Sequence, residues 1–144
     1  MKRKNVIWCV AGVVIAATAA FGMKELMLGH AGRLSLVCVA VLELIAANSL
    51  ARLACGECFG RFDAVAHAVL LGASVFGVLL FASALPGAAI LRETVGRLCE
   101  ADAGTPARFF VGVIVIRLLY TASIPFRLAW EEMEDAEVAE ETWA

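Results

Sequence analysis

Four long blocks of apolar residues, separated by shorter polar stretches, set the pattern of this chain. They cover residues 5–23, 34–54, 65–85 and 109–126. Each block is close to the roughly 20 residues that an α-helix needs to cross the hydrocarbon core of a bilayer. Because unpaired backbone groups are costly in lipid, long continuous blocks indicate helices rather than strands. The pattern predicts an all-α, polytopic membrane protein with four transmembrane helices.

The connections between the blocks are short, and short connections join neighbouring helices in opposite directions. The sequence therefore predicts an up-down-up-down bundle formed by residues 1–127. Residues 128–144 follow as an acidic cytoplasmic tail, which we expect to continue the last helix for a turn or two.

The longest connection, residues 86–108, carries a helical pattern of its own. Apolar residues recur at helical spacing from Leu91 to Leu98, and Glu93 precedes Arg97 by four residues, the order that favours an ion pair on a helix. We predict a short interfacial helix between the third and fourth spans. The alternative is an ordinary connecting helix.

Basic residues near the ends of the spans decide the expected orientation. Lys2, Arg3 and Lys4 precede the first span, and such clusters stay on the cytoplasmic side. Both termini are then cytoplasmic. The abundance of Ala and Arg indicates a GC-rich bacterial genome, so the predicted location is the bacterial inner membrane.

The first block has a second interpretation, as a secretory signal with an A-x-A cleavage site at residues 17–19. Its apolar run continues to Met23, which is longer than a typical signal core. We therefore favour a retained helix.

Small residues recur every four positions on two predicted helices, a spacing that lets helices approach closely. In the first span they are expected to pack within the bundle. In the third span the alternatives are packing within the bundle and contact with another subunit. The residues predicted to serve helix packing are Gly12, Ala16, Ala20, Gly72 and Gly77.

Composition narrows the choice of partners. The chain is 62% hydrophobic with a formal net charge of −2, and it has no basic patch, so nucleic acid is not an expected partner. The expected partners are the lipid bilayer and either other membrane subunits or a second copy of the chain. No cofactor is predicted.

Two opposite charges lie deep in the predicted spans. Glu43 and Arg117 are each eight or nine residues into spans that run the same way, so we predict equal depth near the bilayer midplane. A lone charge there costs about 2.5–3.5 kcal/mol on insertion scales, which favours pairing. The pair is interpreted either as a structural ion pair or as a site for a substrate, ion or proton. Four polar residues could extend such a site: Asn48, His67, Tyr120 and Thr121.

A second candidate site is the C-x-x-C sequence formed by Cys55 and Cys58. Such a pair serves in redox chemistry or supplies half of a zinc site. The alternative is that both thiols stay reduced and inert in a cytoplasmic loop.

No nucleotide-binding loop or hydrolase motif is present in the sequence, and the loops leave no room for a soluble catalytic domain. The leading hypothesis is therefore non-enzymatic: an accessory or scaffold subunit that acts through helix contacts and its acidic tail. One alternative is a small-solute or ion transporter or channel component that uses Glu43 and Arg117. The other is a redox or metal-handling protein that uses Cys55 and Cys58.

Overall fold

The computed structural model describes residues 2–26, 30–85, 88–100 and 102–143, with side chains except at 21–26 and 30–31. All regular structure in these ranges is helical. The helices are α1 (Arg3–Leu26), α2 (His30–Cys55), α3 (Gly60–Ser83), α4 (Ala89–Leu98) and α5 (Thr105–Trp143).

The all-α class and the four long apolar helices predicted from the sequence are confirmed. α1, α2, α3 and α5 are each long and apolar enough to cross a membrane. The first two helices are longer than their apolar blocks, so the connection between them shrinks to residues 27–29, which lie outside the described residues. Residues 86, 87 and 101 of the predicted 86–108 connection also lie outside them.

The chain divides into two compact units, residues 1–113 and residues 114–144. In the first unit α2 packs against both α1 and α3, and α4 packs against α3. The core between α2 and α3 contains the fully buried Leu42, Leu70 and Leu80. Many other apolar side chains on these helices are exposed, as expected for helices that are apolar on all sides and face lipid.

One glycine on α3 makes a close helix contact. A Cβ added at Gly77 would lie 2.9 Å from Leu42 Cδ1 and 3.3 Å from Phe109 Cδ1. Phe109 also makes an edge-to-face contact with Phe76, with ring centroids 5.3 Å apart. Gly77 therefore lies in a close contact between α2 and α3, where an added side chain would require Leu42 to shift.

The other predicted packing positions differ from Gly77 in their exposure. Gly12, Ala16, Ala20 and Gly72 are exposed, and a Cβ at Gly12 or Gly72 would meet nothing within 4 Å among the described residues. Their role in helix packing, within the bundle or against another subunit, stays a prediction. Small residues at four-residue spacing occur on outward-facing helix surfaces as well as at contacts, and the spacing alone does not distinguish the two.

The helix predicted between the third and fourth spans is α4. The predicted ion pair between Glu93 and Arg97 is present, and Val95 is buried against the rest of the unit. Arg92 donates from Nε to the carbonyl of Ser83 at 3.2 Å and from Nη2 to that of Leu85 at 3.2 Å. These bonds satisfy carbonyls at the end of α3 that the helix itself leaves open.

α5 is far longer than the predicted fourth span. It begins after a turn in which the Asp102 carboxylate accepts hydrogen bonds from Gly104 N at 2.8 Å and Thr105 Oγ1 at 2.9 Å. It then runs unbroken for 39 residues, through Pro125, to Trp143. The tail, expected to continue for only a turn or two, is helical throughout its described length. No glycine or proline follows Pro125, and Ala and Glu favour helix.

Candidate functional site

A groove with a single carboxyl group lies on the surface of the first unit, and we call it the Glu43 groove. Its volume is about 440 Å³, it is open on one side, and its walls come from α1, α2 and α3. Glu43 is the only charged residue among the described residues that line it. The lining residues are Val6, Ile7, Val10, Ala11, Val14, Glu43, Ala46, Ala47, Leu50, Leu71, Val75, Val78 and Leu79.

The spacing of residues along α2 explains the position of the carboxyl. Glu43, Ala46, Ala47 and Leu50 lie at i, i+3, i+4 and i+7, so they share one face of the helix. Two of the four are alanines, which leave open space beside the longer glutamate side chain. Valine, isoleucine and leucine from α1 and α3 form the opposite walls.

The two oxygens of the Glu43 carboxyl have different surroundings. Oε1 accepts a hydrogen bond of 2.8 Å from Thr18 Oγ1 on α1. Oε2 is buried and has no hydrogen-bond partner among the described residues. Burying a carboxylate oxygen without a partner is costly, so a positive charge close to this carboxyl would be favourable.

Arg117 lies on α5 in the second unit, and its described contacts are with residues of the same helix. Its guanidinium carbon is 5.6 Å from the centroid of the Tyr120 ring, and that of Arg127 is 5.4 Å from the same centroid. Thr121 Oγ1 donates back to the carbonyl of Arg117 at 2.9 Å. Tyr120 and Thr121 thus lie beside Arg117 as the sequence predicts. The contact between Glu43 and Arg117 stays a prediction.

His67 belongs to a different cluster, in the contact between α2 and α3. It is fully buried, as are Ser49 and Asp63, and its Nδ1 lies 3.4 Å from Ser49 Oγ. Asp63 Oδ2 accepts a hydrogen bond of 3.1 Å from Phe59 N. Neither His67 nor the half-buried Asn48 lines the Glu43 groove, so neither extends that site directly.

The loop between α2 and α3 is bound to the start of α1. Lys4 Nζ lies 2.7 Å from Glu57 Oε2 and 2.8 Å from Oε1, and Arg3 Nη1 donates to the carbonyl of Ala54 at 3.3 Å. The hydrogen bond from Lys4 holds the pKa of Glu57 below its ordinary value. Gly56 has φ +68°, a conformation that favours glycine and lets the chain turn here.

The two cysteines of this loop are free, half-buried thiols. Burial raises the pKa of the Cys58 thiol above its ordinary value, and the neighbouring Asp63 carboxyl raises it further. A raised pKa disfavours the thiolate, which is the form that acts as a nucleophile and as a metal ligand. No group of three or more His, Cys, Asp or Glu side chains that could hold a metal ion occurs in the described ranges.

Sequence reasoning missed Thr18, Ser49 and the Lys4–Glu57 pair. A single hydroxyl or charge in a chain gives no signal of which distant residue it meets, so only the packing of α1 and α3 on α2 reveals these contacts. Comparison of the chain with protein-family models, with curated proteins and with solved structures gives no match.

Proposed function

We propose that this chain is an accessory or scaffold subunit of a bacterial inner membrane that binds a partner protein through the end of α5. In this proposal four helices form an up-down-up-down bundle with α4 at the membrane interface, and both termini are cytoplasmic. The pairing of Lys4 with Glu57 and of Thr18 with Glu43 supports opposite directions for α1 and α2.

The observation that carries the proposal is the length of α5. At 1.5 Å per residue its 39 residues extend about 58 Å, whereas the hydrocarbon core is about 30 Å thick. The predicted span ends at Phe126. The remaining residues, 128–143, which we call the acidic arm, then continue beyond the bilayer.

The acidic arm is charged and exposed, yet it carries large apolar side chains. It holds seven acidic and no basic residues, and Trp143 is 92% exposed. Trp143 lies about 25 Å along the helix from Phe126, too far to serve as an anchor at the bilayer interface. A short isolated helix is only marginally stable in water, so a partner that covers this arm would stabilise it.

The pattern of apolar residues indicates the kind of partner. Residues 122, 126, 129, 133, 136, 140 and 143 alternate at four- and three-residue steps, the repeat of a coiled-coil seam. Glu140 interrupts this seam, and Glu132 and Glu137 flank it. Two copies of the arm would place like charges together, so a helix with basic residues is the better partner.

Photocrosslinking in native membranes tests this proposal. A photoreactive residue at Met133, in the seam, should crosslink to a protein that carries a basic helix, whereas one at Asp135, on the opposite face, should not. The triple variant Glu132→Gln, Glu137→Gln, Glu140→Gln should reduce the crosslink at least fivefold. Equal crosslinking from both positions, or crosslinks only to a second copy of this chain, would contradict the proposal.

The Glu43 groove favours a second candidate function, the transport of a small solute or ion. A carboxyl in the membrane-spanning part of a protein commonly marks a substrate or ion pathway. Loss of flux in a normally folded Glu43→Gln variant is the result expected of a transporter. The redox hypothesis has less support, because the raised pKa of the Cys58 thiol disfavours its thiolate.

A further inference from the structure

The Glu43 groove has the size and the lining of a small-molecule site. Its volume of about 440 Å³ lies within the usual range of roughly 300–1,000 Å³ for such sites. Twelve of the thirteen lining residues are apolar, and they come from three helices. A ligand in this groove would therefore place most of its surface against aliphatic side chains.

The carboxyl of Glu43 gives the groove its charge preference. Thr18 occupies one oxygen, and the buried second oxygen, Oε2, has no hydrogen-bond partner among the described residues. Among the residues that the structure describes, no Lys, Arg or His lines the groove. A positive charge placed beside Oε2 would offset the cost of keeping this carboxylate ionised in an apolar site.

The same surroundings argue against small inorganic ions and anions. Calcium and magnesium need several oxygen ligands to replace their water, and the groove supplies one carboxylate. An anion would meet the negative charge of Glu43. A neutral lipid tail would fit the walls but would leave Oε2 without a partner.

We propose that the Glu43 groove binds a hydrophobic organic cation, with the ligand's positive charge near the carboxyl of Glu43 and its apolar body against Val10, Ala46 and Leu79. Because the groove is open on one side and α1 to α3 are candidate spans, such a ligand can enter from the bilayer, where it already partitions. The proposal names a ligand class for the second candidate function. The test measures ligand binding and not flux. The binding proposal can therefore hold or fail independently of the transport proposal and of the proposal that the acidic arm binds a partner.

The test uses the full chain in detergent micelles and tetraphenylphosphonium as the probe, with binding measured by equilibrium dialysis. Tetraphenylborate, which has nearly the same shape and the opposite charge, is the matched probe. The wild-type chain should bind the cation saturably and should not bind the anion saturably. Glu43→Gln should weaken cation binding at least tenfold, whereas Glu100→Gln, which removes an exposed carboxylate outside the groove, should leave it unchanged.

A second variant tests the position of the ligand without removing the carboxylate. Ala46→Phe fills the groove from α2 and should also weaken binding at least tenfold. Elution as a monodisperse species and an unchanged helical circular dichroism spectrum establish that each variant is folded. If Glu43→Gln does not fold, Ala46→Phe and the pair of probes still decide the question.

Three results would overturn the proposal. The first is saturable binding of the anion as tight as that of the cation, which would mean apolar partition alone. The second is undiminished cation binding by Ala46→Phe or by folded Glu43→Gln. The third is no saturable binding of the cation by the wild-type chain. This holds even if the Arg117→Gln variant binds the cation, because Arg117 would then pair with the Glu43 carboxylate in the wild-type chain.

Discussion

The Lys4–Glu57 ion pair joins the start of α1 to the loop between α2 and α3. Both side chains are partly exposed, so solvent screens the attraction, and the pair orders the loop more than it stabilises the fold.

The ion pair predicts a pH dependence. Since the folded-state pKa of Glu57 is lowered, the stabilisation is present above the unfolded-state pKa of 4.5 and is lost as the pH falls through the folded-state value. Glu57→Gln should lower the melting temperature in detergent by no more than a few degrees at pH 7. The difference from wild type should be smaller at pH 3 than at pH 7, because the Glu57 carboxylate takes up a proton as the pH falls. A difference that is the same at both pH values would contradict this account, and Glu100→Gln serves as the control.

Pairing of Glu43 with Arg117 remains a separate prediction, and it competes with a bound cation for the same oxygen. For a structural pair, removing one partner costs about 3–5 kcal/mol. Glu43→Gln should then lower the folded yield more than Arg117→Gln, because a lone arginine cannot lose its charge. The double variant should recover much of the yield. Normal yields for all three variants would contradict the pair.

The candidate site shows what single residues can reveal before their neighbours are known. The sequence alone identified Glu43 as a candidate site residue, because it places a carboxyl within an apolar block. Thr18 gave no comparable signal, because a threonine in a helix usually bonds to its own backbone, as Thr121 does here. The groove itself depends on the packing of three helices and has no counterpart in the sequence of any one of them.

At the scale of elements, the contact of α3 with α2 depends on the absence of a side chain at Gly77. Gly77→Val should force Leu42 aside and cost about 1–3 kcal/mol through overpacking. It should therefore lower both the folded yield and the melting temperature in detergent. Gly72→Val, on the same helix in open space, is the matched control and should have little effect.

Rescue separates crowding from a loss of backbone freedom at Gly77. Leu42→Ala should restore part of the stability of Gly77→Val, because it removes the side chain that the new methyl groups would meet. Equal effects of the two glycine substitutions, or no rescue, would mean that the α2–α3 contact is not limited by space at this position.

The helices themselves follow from apolar blocks of membrane length, which is why all four long helices were predictable. The ends of the helices were less predictable. Apolar content indicates which part of a helix contacts lipid, but it does not indicate the residue at which the helix ends. α5 illustrates this: its charged residues after Phe126 end the apolar block, but nothing in them ends the helix. Likewise Gly12 and Gly77 share a small-residue pattern, but among the described residues an added Cβ at Gly77 would meet Leu42 and one at Gly12 would meet nothing within 4 Å.

At the scale of the whole molecule, exposed large apolar side chains outnumber buried ones in the part of the chain that the structure describes. A water-soluble domain rarely exposes so much contiguous apolar surface. The same distribution is expected where lipid, rather than water, surrounds α1, α2, α3 and the first half of α5. Both proposed functions depend on a membrane location. The acidic arm is proposed to extend beyond the bilayer, and the Glu43 groove is proposed to bind a ligand that enters from the bilayer.

The most direct test of the membrane account is the labelling of single-cysteine variants in intact spheroplasts with a membrane-impermeant maleimide. Each variant keeps one of three cysteines: native Cys58, Ala103→Cys before α5, or Ala139→Cys in the acidic arm. The account predicts that Ala103→Cys is labelled in intact cells, and that Cys58 and Ala139→Cys are labelled only after permeabilisation. Labelling of Ala103→Cys and Ala139→Cys on the same side would contradict it, because α5 would then not cross the membrane.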